Sequence, residues 1–303
     1  MIVRPRLHWF RMLLVLHGSV LPKIAFQLML IAAIAAGITL SGGELLGWKV
    51  GLTFVPFSLI GIALAIFLGF RNSASYERYW EARKLVGELL NASRSLTRQY
   101  LTWVDHPVDA RDFVYGIIAF AHALRHQLRG SDPEPQLRVL LGAERAKRLA
   151  TARAKPAMLL LHLGEMLGQV GAQGRLHPQL AARMDQTLSD LTAILGGCER
   201  IANTPIPYTY SVIVHRTVYL YCFLLPFGLV GSIGLMTPLI VTFVAYTFLA
   251  LDALNEELEE PFGTLPNDLP LDHLTLGIEI TLREMLGETD LPQPTAPRHY
   301  VLT

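Results

Sequence analysis

Of 303 residues, 51% are hydrophobic and 17% are charged, against roughly a quarter charged in a soluble globular domain, so the balance points to a membrane protein. A formal net charge of +1 excludes the concentrated basic excess that nucleic-acid binding requires. The only cysteines, Cys198 and Cys222, lack CxxC spacing and provide neither a disulfide framework nor a zinc site.

The chain opens with "MIVRPRLHWFRMLLVLHGS", which is basic and then apolar. His8, Arg11 and His17 interrupt the apolar run and no small-residue cleavage site follows. Residues 1–23 are therefore expected to be retained as a cytosolic or interfacial segment, with Trp9, Phe10, Leu13, Leu14 and Leu16 on an amphipathic helix. A hydrocarbon core about 30 Å thick needs about 20 apolar residues in a helix. Residues 24–40 are free of charge and end at the Gly-rich "SGGE". Residues 50–70 form a second such stretch, so the region 24–70 is expected to hold two transmembrane helices. The charge-free run 217–251 is too long for one crossing. Its "GSIGLMTP" supplies turn chemistry at Gly231, Gly234 and Pro238, which divides the run into a third span near 217–230 and a fourth over 235–251.

Between these pairs, residues 71–216 alternate apolar and charged positions at helical spacing, as in "ARKLVGELLNASRSLTRQYL", and predict a soluble helical domain. Residues 252–303 are first acidic, then Pro-rich, then helical again. Arg4, Arg6, Arg11 and Lys23 precede the first span and Arg71, Arg78, Arg83 and Lys84 follow the second, whereas the intervening turns hold only Lys49. Positive residues mark the cytoplasmic side, so both termini and the middle region are expected there.

Enzyme signatures are missing: there is no GxxxxGK[ST], HExxH or GxSxG, and no GxGxxG after a strand. His122 and His126 stand one helical turn apart, fewer than the three protein ligands a zinc site needs, so ordinary packing or solvation is favoured. The cluster Asp252, Glu256, Glu257, Glu259 and Glu260 lacks the ligand spacing of a calcium loop and is expected to be a solvated helix end. The spans carry no Asp, Glu, Lys, Arg or His. Proton-coupled transporters usually keep such a group at membrane depth, so conduction, signalling or anchoring is favoured over pumping. Ile62, Ile66 and Phe70 recur every four residues on one face, and Gly61, Ala63, Ala65 and Gly69 offer small surfaces for helix approach. Periodicity leaves two alternatives, a hydrophobic constriction in an oligomer or a surface that meets lipid or another helix. Arg71, the next residue, either faces such a pore or pairs with Glu77 or Glu81.

Three separated stretches, "PFSLIGIALAIFLGFRNSASYERYWEARKLVGELL", "GGCERIANTPIPYTYSVIVHRTVYLYCFLLPFGLVG" and "LEEPFGTLPNDLPLD", resemble the bacterial branch of the bestrophin family. The resemblance implies an all-α membrane protein with four transmembrane helices per subunit, a helical cytosolic domain and a homopentameric assembly in the bacterial inner membrane. It also implies a central pore for small monovalent ions, chloride by family and cations in the bacterial branch. By residue match the pore neck is Ile62, Ile66 and Phe70, and a cytosolic aperture falls at Leu180. No cofactor is expected. Eukaryotic relatives bind calcium through an acidic run after "NPFG". Here Pro261, Phe262 and Gly263 are followed by Thr264, Leu265, Pro266 and Asn267, and Asp268 is the lone matching carboxylate, too little for six to eight oxygen ligands. Two rival classes remain: a transporter of small organic anions, which inverted repeats would support, and a membrane-anchored scaffold or sensor.

Overall fold

A computed structural model describes residues 1–5, 8–45, 48–49 and 52–303. Arg6, Val50 and Gly51, which entered the charge and span arguments, lie outside the described residues. Among those described, helices dominate, and a two-residue antiparallel hairpin pairs β1 (Glu44–Leu45) with β2 (Trp48–Lys49). The chain divides into two compact units, one of residues 5–79 and 205–260 and the other of residues 1–4, 80–204 and 261–303.

The first unit holds α1 (Trp9–Leu13), α2 (Leu21–Leu40), the opening half of α3 (Phe54–Trp103), α9 (Tyr208–Ile233) and α10 (Thr237–Glu259). Three helical runs are long and apolar enough to cross a membrane: Leu21–Leu40, Phe54–Trp103 and Tyr208–Glu259. The last contains α9 and α10, joined by a 3₁₀ turn at Gly234–Met236. Gly234 has φ +55°, a left-handed conformation that a side chain disfavours, and Pro238 opens the next helix where its missing N–H costs nothing. Helices α2 and α9 begin before their charge-free stretches, and α3 and α10 run on beyond theirs into polar sequence. Ile31 and Ala35 of α2, Leu64 and Leu68 of α3, Val218 and Cys222 of α9 and Val241 and Ala245 of α10 are buried in one core. In α1, Trp9, Phe10, Met12 and Leu13 are all exposed, as are Leu14 and Leu16 beyond it.

Two close approaches fix α3 against α9. A Cβ on Gly228 would lie 2.5 Å from the Phe57 ring, and one on Gly61 would lie 2.8 Å from the Tyr221 hydroxyl. Tyr210 also donates from its hydroxyl to the Phe67 carbonyl at 2.9 Å.

The second unit comprises the remainder of α3 with α4 (Ala110–Leu128), α5 (Glu134–Leu141), α6 (Ala143–Ala150), α7 (Lys155–Ala172), α8 (Pro178–Asn203) and α11 (Leu271–Met285). Helix α4 is its centre. Residues Phe113, Ile117, Phe120 and Leu124 are buried, and the Phe113 ring stacks on Tyr100 of α3 with centroids 3.9 Å apart. The first four residues of the chain group with this unit. Val3 N–H donates to the Tyr300 carbonyl at 2.8 Å and Leu302 N–H to that of Met1 at 2.8 Å, tying the two ends of the chain together.

Candidate functional site

Helix α3 has two unlike faces within the membrane-crossing unit. Phe57, Leu64 and Leu68 are buried against the core, whereas Ile62, Ile66 and Phe70 are 60%, 53% and 66% exposed. Among the described residues no helix of the same subunit covers them, so lipid or another subunit remains as their neighbour. Leaving them in water is costly: burying each is worth about 1.5–3 kcal/mol.

Arg71 follows Phe70 but points the other way. It is 3% exposed, its Nη1 donates to Asp252 Oδ1 at 2.5 Å and its Nε to Glu259 Oε1 at 3.0 Å. The expected pairing with Glu77 or Glu81 is therefore replaced by a long-range one, since Glu81 is paired with Arg200 inside the other unit. The solvated helix end expected at 252–260 is corrected too. Asp252 is buried and also accepts from His215 Nδ1 at 2.7 Å, and Glu256 pairs with Lys23 at 2.9 Å. Four helices thus contribute to one charge cluster: Lys23 from α2, Arg71 from α3, His215 from α9, and the carboxylates from α10. Such a cluster is stable only because each buried charge has a hydrogen-bonded opposite. His215, Asp252 and Glu256 bring ligand atoms within 4.8 Å of one another, yet Arg71 and Lys23 already neutralise the carboxylates that a metal ion would need.

The remaining candidates are distributed through the second unit. His122 is buried and donates from Nε2 to Glu279 Oε2 at 2.9 Å. His126 engages Ser131 Oγ at 2.8 Å and Gln136 Oε1 at 3.2 Å, and the Gln136 amide also reaches His122 Nε2 at 3.4 Å, so the two histidines are joined through Gln136 in a hydrogen-bond network. The hydrogen bond from His122 holds the Glu279 carboxyl below the usual carboxylate range, against the opposing effect of burial. Leu180 lies in the first turn of α8, half-buried, with Gln179 exposed beside it. Asp268 is buried and its Oδ2 accepts from the Leu265 N–H at 2.7 Å, closing the turn after Gly263. Cys198 is buried, which pushes its thiol up to about 12, and both cysteines are free.

Comparison with known proteins decides the family. The model of the bacterial and fungal bestrophins matches residues 1–284. The chain belongs to the bestrophin family. Over 305 residues, all of both chains, it is 50% identical to the voltage-dependent anion channel-forming protein of Ralstonia nicotianae. The protein of the same description from Escherichia coli K12 is 48% identical over 309 residues, again covering both chains fully. Among solved structures, a bestrophin homologue from Klebsiella pneumoniae superposes with a TM-score of 0.83 at 47% identity, covering 88% of this chain and 99% of its own. Another, the crystal structure of a membrane protein variant, reaches 0.85 at 45% identity, with 89% and 100% covered. In this bestrophin, the sequence reading missed Asp252 and Glu259 as partners of Arg71, and His215 as a second partner of Asp252. Their only signal is position, as polar residues flanking the charge-free 217–251 run on either side.

Proposed function

We propose that five copies of the chain surround a common axis and conduct small monovalent anions across the bacterial inner membrane, with Ile62, Ile66 and Phe70 of each copy forming three successive apolar rings. The observation that carries this reading is the exposed stripe itself: three large apolar side chains on one face of a membrane-crossing helix, while the opposite face of that helix is packed inside the subunit. Apolar rings offer an ion no substitute for its hydration shell, so they act as a barrier governed by width and wetting. The names of the Ralstonia and Escherichia relatives favour anions. Arg71, neutralised by Asp252 and Glu259, does not supply the preference, which leaves it to charges elsewhere on the route.

Each subunit crosses the membrane four times, with the 3₁₀ turn at Gly234–Met236 reversing the chain between the third and fourth crossings and both termini in the cytoplasm. A second constriction is assigned to the first turn of α8, at Leu180. Calcium is not part of this mechanism, because Asp268 is the lone carboxylate between residues 261 and 270 and is engaged in a turn.

The experiment is reconstitution in planar bilayers. Replacing Ile62, Ile66 and Phe70 with Ala raises single-channel conductance if they form the narrowest region. Unchanged current in the triple variant, or a monomer by native mass spectrometry, overturns the assignment. Leu180→Ala, with Gln179→Ala beside it, tests the second constriction in the same way.

A further inference from the structure

In the membrane-crossing unit, the start of α9 shares an open cavity of about 340 Å³ with α3 and α10. Arg71, Ser211, His215, Arg216 and Glu256 supply polar groups to its wall. Arg71 directly follows the charge-free stretch of α3 and Arg216 directly precedes that of α9, so the cavity lies where apolar helix gives way to polar sequence. In a bilayer that level is the headgroup layer.

The cavity offers donors that nothing in the subunit uses. Arg71 is 3% exposed, with Nε on Glu259 and Nη1 on Asp252. Its Nη2 has no acceptor among the described residues and is not sealed in the core, so the accessible edge of this buried side chain opens on the cavity it lines. Arg216 is exposed and forms neither a hydrogen bond nor an ion pair among the described residues, and the Ser211 hydroxyl is likewise unengaged. Arg71 contributes a donor without net charge, because two carboxylates offset it. Arg216 contributes the charge. The carboxylate on the lining, Glu256, is held by Lys23 at 2.9 Å, and Asp252 behind it is shared by Arg71 and His215. An anion therefore meets free donors, whereas a cationic amine meets no free acceptor.

A second feature leads out of the cavity. Val212, which lines it, begins the row Val212, Arg216, Leu220 and Leu224 at four-residue spacing, a continuous strip along one side of α9. Leu220 and Leu224 are 61% and 45% exposed. Free donors at the boundary thus adjoin bare apolar surface within the span, the pattern of an amphiphile.

We propose that the cavity binds the headgroup phosphate of an anionic phospholipid, with an acyl chain lying along Leu220 and Leu224. One phosphate oxygen accepts from Arg71 Nη2 and another from the Arg216 fork and the Ser211 hydroxyl. Free phosphate carries the same oxygens but has nothing to cover the leucines, so the lipid is preferred. The site needs α9 to enter the bilayer and does not depend on the pore rings.

The test is native mass spectrometry of the purified full-length protein in detergent with added phosphatidylglycerol or phosphatidylcholine. Saturable binding of phosphatidylglycerol is expected at one per chain, with phosphatidylcholine roughly tenfold weaker. Arg216→Ala weakens phosphatidylglycerol binding by roughly tenfold and melts like the wild type, since the side chain has no partner to lose. Arg216→Lys retains part of the affinity, and Ser211→Ala and Leu220→Gln each give a smaller loss. Absence of saturable binding, as when a neighbouring subunit closes the cavity, overturns the proposal. So does equal binding of the two lipids, or unchanged affinity in Arg216→Ala. Displacement of the lipid by millimolar inorganic phosphate would assign the site to the free anion and overturn it too. Bound lipid is counted without current, so failure here is distinguishable from failure of the pore assignment.

Discussion

Arg71 Nη1 lies 2.5 Å from Asp252 Oδ1, with the two side chains 3% and 5% exposed. The charge that directly follows the apolar stripe of α3 is therefore held inside its own subunit, by a helix 181 residues further along the chain. Glu259 adds a second bond to Arg71 from the same helix, and His215 a second contact to Asp252.

Breaking this pair from one side leaves a buried charge uncompensated. Arg71→Met is expected to destabilise the protein by roughly 3–5 kcal/mol, and Arg71→Met combined with Asp252→Leu to recover much of that loss. Thermal melting of the detergent-solubilised protein measures both. Equal melting of the wild type and Arg71→Met would show that the pair contributes nothing.

A second prediction concerns acid. Glu279 is held below the usual range first by the hydrogen bond from His122. A carboxyl with a depressed folded value contributes stability that is complete above its unfolded value, about 4.3, and lost as pH falls through the lower folded one. Glu279→Gln removes that contribution at any pH. The melting difference between the wild type and Glu279→Gln should therefore be largest near neutrality and close as pH drops below about 4. A difference that stays constant with pH argues for packing alone.

Helix approach gives the third. A methyl group at Gly228 meets the Phe57 ring at 2.5 Å, so Gly228→Ala forces α3 and α9 apart at a cost of roughly 1–3 kcal/mol. Gly37→Ala in α2, where a Cβ has nothing within 4 Å, is the control and should be neutral or better. Indistinguishable melting of the two variants would contradict the packing described for this core.

The fourth is ionic. Asp268 is committed to the Leu265 N–H, and calcium requires six to eight oxygens. Currents from reconstituted protein are expected to be the same in EGTA as in millimolar calcium. Loss of current on chelation would assign calcium a role that these residues do not explain.

Much of this architecture is legible from local patterns. The charge-free stretches overlap the three helical runs long and apolar enough to cross a membrane, and spacing alone puts Ile62, Ile66 and Phe70 on one face. What spacing does not reveal is which side of a helix its neighbours cover. That depends on Phe57, Leu64 and Leu68 finding α9, a long-range event. The same limitation applies to charges. Arg71 has Glu77 and Glu81 nearby in sequence, but Asp252 is a better partner because it is buried and shares the arginine's low-dielectric surroundings. Asp252 itself looks like part of a solvated acidic run when only its neighbours are considered. His122 resembles half of a metal pair with His126, until Glu279, 157 residues away, is seen to engage it.

Helix α3 runs unbroken from Phe54 to Trp103. Its single proline, Pro56, sits in the opening turn, where it introduces no kink. Between Ile62 and Phe70 the helix carries no proline, so the aperture proposed there has no proline hinge of its own. Opening of the proposed aperture is then left to tilt of this segment or to rotation of its side chains. Isoleucine, branched at Cβ, resists the latter more than phenylalanine does, which makes Phe70 the natural shutter and the two isoleucines its frame.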